Sequence, residues 1–510
     1  MSEPSGWSRG YPVSEPYPAI WHSFQSPAHL RVICALMGVA WEVGPETPLS
    51  ILEVGCGTGY TSQMMAAGNP HWQVLGLDYN PAHIAEARSL AAAARLDNVR
   101  FLEADLAELD DPGLDQLPEF DLVTVHGVWS WVADPVREGI LRLLRRRLKP
   151  GGLALVSYNA LPGAANSLGL ARGVRQAMLA HEGSVDGVAT AARWVERLVA
   201  AQAAHLPPTG WRHLLTGEIQ GARPGYLLHE FQTEFWRPSF HADVAAALAT
   251  ARCDYVGSAT IDENFTQMSL SPAQRELWED APSAAARELI FDMCVPRAFR
   301  RDLYVRGLRR VPRDEAVDAL WLASTAHTQG EVELKGQAGT AKLPQPLVDA
   351  VRSALEQGPR QIGALRALPG CGSVTPSELV ALLIGSGCAL PLWRQPGTGA
   401  DWAAAVAAAQ RLNAVAADRL APFGIGSGQV GLATPSLGGG LVVSPMELAV
   451  ARLAAESSSQ SAGPEHAAAL VGRLMPPGPK PPPDVCADVE HRIAMLLKER
   501  WPVWRALGIA

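Results

Sequence analysis

Gly55-Cys56-Gly57-Thr58-Gly59 follows directly on the apolar run Ile51-Leu52-Glu53-Val54 and leads into an amphipathic stretch rich in Met and Ala. A buried strand that turns on three glycines and opens a helix leaves few folds available. Glycine takes positive φ without a Cβ clash and lets a ligand approach the backbone closely. In open α/β sheets that crevice, outside the carboxyl ends of the strands, is where ligands bind. The chain around the loop agrees. Between 49 and 158, β-rich runs at 51–55, 73–78, 99–104, 121–126 and 153–158 alternate with amphipathic stretches near 60–68, 81–95 and 134–148. Repeated β-α-β units of this length predict a parallel, doubly wound sheet of the α/β class.

The spacing also narrows the ligand. Dinucleotide folds use Gly-x-Gly-x-x-Gly, with the last glycine inside the helix; here the loop is Gly-x-Gly-x-Gly. Glu53 stands two residues before the first glycine, where an acid reaches the cationic methionine end of S-adenosylmethionine. Asp78 closes the second strand, placed for both ribose hydroxyls, although a dinucleotide fold would want this acid too. Ala104-Asp105 closes the third strand, within reach of an adenine amino group. Each acid alone could be a solvated turn or helix cap. Together they predict a Rossmann-like class I methyltransferase core that binds S-adenosyl-L-methionine and releases S-adenosyl-L-homocysteine. The candidate cofactor set is Tyr17, Glu53, Gly55, Cys56, Gly57, Gly59, Asp78, Tyr79, Ala104, Asp105 and His126.

The acceptor side falls at the end of the fourth strand, Val125-His126-Gly127-Val128-Trp129-Ser130-Trp131. His126 is placed to contact the sulfonium side or shape an acceptor channel; otherwise it is a hydrogen-bonded polar residue before a helix. Trp129 and Trp131 would wall a channel for an alkyl-ammonium group, or pack beneath the next helix. Tyr158 follows the fifth strand, and His229-Glu230 precedes a Trp236-bearing segment that folds back over the site. Either of the last pair would assist deprotonation of an amine whose reference pKa is about 10.4, or would anchor the surrounding helices. No Asn/Asp-Pro-Pro-Tyr element is present, which disfavours amide or adenine N-methylation by that device.

The rest of the 510 residues is organised around this core. Residues 1–48 form an N-terminal cap, 49–161 and 226–270 the core, and 162–225 a helical insertion. A mostly helical middle or regulatory domain spans 271–330, a winged-helix-like domain 345–450, and a Pro/Ala-rich tail with a terminal helix 451–510. The polar stretch 325–344 marks the main boundary, and 457–461 and 476–483 read as connectors. A net charge of −8 and few Lys or Arg between 345 and 395 argue against a nucleic-acid-coating role. The first residues lack a secretory pattern and no apolar run reaches membrane-spanning length. The seven cysteines show no metal or redox spacing. These features predict reduced thiols, a cytoplasmic location, no membrane insertion and no metal.

Several longer motifs carry a family resemblance. Pro16-Tyr17-Pro18, Ala35-Leu36-Met37-Gly38, Asn80-Pro-Ala-His-Ile84, Val125–Trp131, Val156-Ser-Tyr-Asn-Ala-Leu-Pro-Gly163, Leu228-His-Glu-Phe231 and Phe299-Arg-Arg-Asp-Leu-Tyr-Val-Arg-Gly307 resemble bacterial methyltransferases that carry a methyltransferase regulatory domain. Among these, the sequence is similar to lysine methyltransferases that modify a bacterial outer-membrane protein. The resemblance covers about 10–310 well and 345–450 loosely. It implies a dimerisation role for the insertion and transfer to a lysine ε-amine of a protein substrate. Ala164 departs from the pattern, standing where many relatives have Trp. Two other readings remain beside it: a small-molecule or peptide acceptor, and a regulator that senses S-adenosylmethionine through a nucleic-acid-binding C-terminal domain.

Overall fold

The computed structural model describes residues 11, 17–179, 185–217, 224–325, 331–336, 339–372, 374–422, 429–456, 467–474 and 483–509. Its centre is a seven-stranded sheet: β1 (Ser50–Val54), β2 (Gln73–Asp78), β3 (Val99–Glu103), β4 (Phe120–Val125), β5 (Leu148–Asn159), β6 (Cys253–Ser258) and β7 (Phe299–Arg306). The order is β3-β2-β1-β4-β5-β7-β6. The first five strands are parallel, and β7 runs antiparallel to both β5 and β6. The chain winds outward from β1 to β3, then returns to β4 on the other side of β1. That reversal opens a crevice at the strand ends.

Local chemistry sets the crossovers. Asn80 accepts a hydrogen bond from the Ala82 amide and Pro81 occupies the first turn, so the helix Pro81–Ala94 starts directly behind β2. Helix Asp134–Arg147 also opens at a proline. It closes on Arg145, Arg146 and Arg147, whose charges oppose the negative end of its dipole.

Strand β7 corrects the expected organisation. Residues 271–330, expected as a mostly helical separate domain, supply Phe299–Arg306 as an interior strand of the catalytic sheet. Its charges conceal it: Arg300 and Asp302 share one face at a spacing of two, and both are fully buried. Arg300 Nε donates to Asp302, and Nη1 donates to Asp292 at 2.8 Å. Glu288 accepts from Nη2 at 2.6 Å. A buried charge persists when it is paired and hydrogen-bonded, so this polar sequence sits where an apolar strand is expected.

The insertion also ends later than 225. Leu168–Met178, Val185–Ala200, Gly210–Leu215 and Pro224–Gln232 are its helices. Leu227, Leu228 and Phe231 of the last pack with Leu170, Val174 and Val195 in a core of their own. His229 and Glu230 therefore ride on the insertion.

The expected boundary at 325–344 contains a two-stranded hairpin, Glu333–Gly336 with Gly339–Lys342. Beyond it, helices Gln345–Glu356, Ile362–Arg366 and Pro376–Gly385 accompany a three-stranded antiparallel sheet. Trp321–Ser324 is its middle strand, flanked by Arg360–Gln361 and Ala389–Pro391. The Gly438–Gly440 run builds a hairpin of Val430–Thr434 and Gly439–Val443. Gly438 turns it at φ +63°, and a Cβ on Gly440 would lie 1.9 Å from the Met64 methyl. That close approach docks the hairpin on the helix Tyr60–Gly68, with the Tyr60 hydroxyl bonded to both N and O of Gly431. Helix Trp402–Leu420 covers the same helix and Pro81–Ala94, so one hydrophobic core runs from the catalytic sheet into the C-terminal half. The runs 457–461 and 476–482 lie outside the described residues, and Pro483 opens the helix Pro483–Glu499. Among the described residues no helix is long and apolar enough to cross a membrane, and no cluster of His, Cys, Asp or Glu could hold a metal.

Candidate active site

The crevice at the switch of strand order widens into a cleft of about 1430 Å³. Its first half is the glycine loop. The amides of Gly55 and Cys56 both donate to Leu77 O, at 2.7 and 3.0 Å, which staples the loop to β2. Gly55, Gly57 and Gly59 have φ of +69°, +53° and +74°, values that favour glycine. A Cβ on Gly55 would strike Val128 and one on Gly59 would strike Phe101, whereas the space above Gly57 is open to 4 Å. Gly57 therefore presents bare backbone to the cleft.

Three acids surround it. Asp78 accepts from the Gly57 amide at 2.8 Å and the Asn80 amide at 2.9 Å, one on each oxygen, which leaves lone pairs for a diol. Asp105 accepts from the Ala107 amide at 2.8 Å and lines the cleft beside Ala104. Glu53 accepts from both N and Oγ of Ser62, at 2.9 and 2.5 Å. Burial nevertheless pushes its carboxyl up to about 7. Tyr79 stacks on Tyr11, whose ring also meets Phe235, both at 5.3 Å. Tyr17 meets His229 edge-on at 5.4 Å. Gln25 Oε1, on the same cleft wall, is buried without a partner. Open backbone, acids with spare lone pairs, aromatic cover and an unsatisfied acceptor all fit a nucleoside that carries a cationic amino-acid tail.

The second half is assembled from distant segments. His126 follows β4, with Nδ1 2.7 Å from Ser157 Oγ. Its ring lies against His22 at 4.6 Å and Phe24 at 5.0 Å. Burial, then Arg301, takes His22 down to about 4; burial, then His22 and Arg301, hold His126 well below its usual range. Both imidazoles are therefore neutral near pH 7. Trp131 packs by Phe299 at 6.3 Å. Glu230 is buried and hydrogen-bonded by the side chains of Tyr226 and Trp131, yet burial pushes it up to about 7. Trp236 Nε1 donates to Asn159 Oδ1 at 2.8 Å.

Two expected acceptor residues lie elsewhere. Trp129 is buried in the core beneath the sheet, and only its partner two residues on reaches the cleft. Tyr158 faces the opposite side of β5 from Ser157 and Asn159 and donates to Asp302 at 2.6 Å. His241 Nδ1 meets the same oxygen at 2.9 Å. Tyr158 thus belongs to the buried network of Arg300, not to the cleft. Conversely, His22, Gln25, His83, Asn159, Phe299 and Arg301 line the cleft without having been singled out. The resemblance motifs Asn80–Ile84, Val156–Gly163 and Phe299–Gly307 contain His83, Asn159, Phe299 and Arg301; His22 and Gln25 carry no such signal.

The fold and this donor half define a class I S-adenosylmethionine-dependent methyltransferase. Residues 51–152 match the methyltransferase domain family, and residues 223–306 match the predicted methyltransferase regulatory domain. PKMT2 from Rickettsia typhi, also solved in complex with AdoHcy, superposes with TM-scores of 0.66 and 0.68. In the first of these structures the identity is 18%, with 96% of this chain and 99% of that one covered. An uncharacterised protein of Synechocystis sp. is 28% identical over 388 residues, 74% of this chain and 75% of its own. Trans-aconitate 2-methyltransferase of Methylobacterium nodulans is 35% identical over 109 residues, 21% of this chain and 38% of its own.

Proposed function

We propose that the chain N-methylates lysine side chains of a protein substrate. The observation that carries this reading is the second half of the cleft: an aromatic arm of Trp131, Phe299, Tyr226 and Trp236 with one buried carboxylate, Glu230. The whole cleft exceeds the roughly 300–1,000 Å³ of a small-ligand pocket, leaving room for an acceptor carried on a chain. The sequence resemblance to lysine methyltransferases and the overall likeness to PKMT2 support the same acceptor.

S-Adenosylmethionine supplies an electrophilic methyl carbon on sulfur, so the lone pair of a neutral acceptor nitrogen forms the C–N bond as the C–S bond breaks. The chain's own residues deliver that nitrogen. The aromatic arm disfavours its charged form and orients it. Glu230, poised near neutral pH, takes the proton it must lose. His126, neutral and fixed by Ser157, shapes the wall beside Phe299. A homodimer through the insertion, which exposes Leu168 and Leu179, completes the reading. A small carboxylic acid is the second acceptor in view, favoured by the similarity to trans-aconitate 2-methyltransferase.

The deciding experiment supplies methyl-labelled S-adenosylmethionine to the full chain and a lysate of its source cell. Labelled methyl-lysine in digested protein is expected. Label confined to small molecules overturns the lysine reading.

A further inference from the structure

Among the described residues that line the cleft, Arg301 is the only lysine or arginine. It lies opposite in direction to Arg300 and Asp302 on β7 and pairs in register with Ser157, whose hydroxyl holds His126. Its guanidinium carbon sits 4.8 Å from the Phe24 ring centroid and 5.3 Å from that of Phe299. One nitrogen is occupied, Nη1 donating to Thr260 Oγ1 at 3.2 Å. Nε is buried and has no partner.

Among the described residues no carboxylate pairs with this cation. Glu263 comes nearest in electrostatic effect, but it already accepts from Arg297 at 2.8 Å and Ser258 at 2.6 Å. The other arginines of this region, Arg297 and Arg300, are each matched by acids. The neighbouring imidazoles carry no charge near pH 7, so they neither repel an anion nor compete for it. A half-buried guanidinium beside two aromatic rings, with Nε buried and without a partner, is costly unless a ligand brings the missing charge. Nε and the second terminal nitrogen form the planar fork that matches a carboxylate with two parallel hydrogen bonds.

We propose that the free edge of Arg301 is a carboxylate-binding subsite of the methyl-transfer cleft. The proposal rests on the methyltransferase reading and not on lysine as acceptor. Two sources supply such a group: the methionine carboxylate of the cofactor, or an acid on the acceptor. The unsatisfied Gln25 Oε1 lines the same cleft, next in sequence to the Phe24 beside Arg301, and suits the α-ammonium that accompanies the first. Because Arg301 falls within the matched regulatory segment, that segment then contributes directly to ligand binding.

Calorimetry on the full chain separates the sources. S-Adenosylhomocysteine and 5′-methylthioadenosine share the nucleoside thioether, and only the first has the amino-acid tail. If the cofactor supplies the carboxylate, the wild type binds S-adenosylhomocysteine at least about 30-fold more tightly, in line with a charge-assisted pair. Arg301→Gln then narrows that gap to within about threefold, leaving methylthioadenosine unchanged, and Arg301→Lys falls between. If the acceptor supplies it, Arg301→Gln leaves both nucleosides unchanged but abolishes glutarate binding to the protein saturated with S-adenosylhomocysteine. A wild type that neither prefers the tailed nucleoside nor binds glutarate overturns the subsite without any variant. Equal behaviour of the wild type and a folded Arg301→Gln in both titrations also overturns it. Failure of the wild type to bind either nucleoside removes the cofactor reading, and the subsite with it.

Discussion

The two halves of the cleft are built on different principles. The floor of the donor half comes from one continuous stretch, Glu53 to Asp105, with Tyr11, Tyr17 and Gln25 as its cover, and much of that floor is backbone: three glycines at positive φ and amides stapled to Leu77 or Asp78. The acceptor half draws single side chains from the N-terminal segment, the ends of β4 and β5, the insertion and β7. Backbone geometry set by local sequence suits a ligand that does not change. Side chains gathered from several loops can be exchanged without disturbing the sheet, which is how one fold comes to host many acceptors.

That contrast makes measurable demands. Asp78→Ala removes a carboxylate that both orders Gly57 and faces the nucleoside. S-Adenosylhomocysteine affinity is expected to fall by roughly 10²–10⁴-fold, from two charge-assisted bonds of about 1.5–3 kcal/mol each; a loss under threefold by calorimetry would break the donor assignment. Glu230→Gln is expected to lower kcat by about 10²-fold while leaving that affinity intact. In the wild type kcat should fall as pH drops through about 7, because the carboxyl becomes protonated there; in the variant this limb should vanish. If the pH profile is unchanged, Glu230 does not take the proton. Trp131→Ala should raise the acceptor KM by about tenfold, about 1.4 kcal/mol of an aromatic contact, with cofactor affinity little changed. The smallest effect is expected of Tyr158→Phe: normal kinetics and a loss of about 1–2 kcal/mol in urea unfolding, from one buried hydrogen bond. A kinetic defect at full stability would return Tyr158 to the acceptor half.

Without ligand the two halves share one titration feature. Glu53 and Glu230 are both raised to about 7 by burial. A carboxyl whose folded pKa lies above its unfolded value binds more protons when folded. Its stabilising contribution is complete below about pH 4.3 and is lost as pH rises through about 7. Denaturant midpoints should therefore decline over this window, and Glu53→Gln should flatten its share of the decline.

What the sequence made legible follows the same division. The strands β1 to β5, the loop and its three acids could be placed because each depends on neighbours within a few residues. The misplaced residues each turn on one unit of register. Trp129 and Trp131 differ only in which side of a short turn they leave, and Tyr158 lies between Ser157 and Asn159 on a strand whose side chains alternate. Strand β7 escaped because its apolar environment is disguised by Arg300 and Asp302 neutralising each other, a pairing completed by Asp292 and Glu288 on a helix. The glycines of the hairpin at 430–443 serve close contact with Met64 and Trp21. Neither partner is near them in sequence.

Strand β7 also sets a timetable for synthesis. Leu153 on β5 has its lateral hydrogen-bonding partner in Val305, and β6 reaches the sheet only through the same strand. During translation the open edge of β5 must wait while the whole insertion and the helices after β6 emerge. Non-local pairing of this kind is slow, and an unpaired edge invites aggregation. Expression of this enzyme should consequently depend on chaperone supply, and a ribosome stalled between residues 160 and 298 would hold a sheet with one side still unclosed.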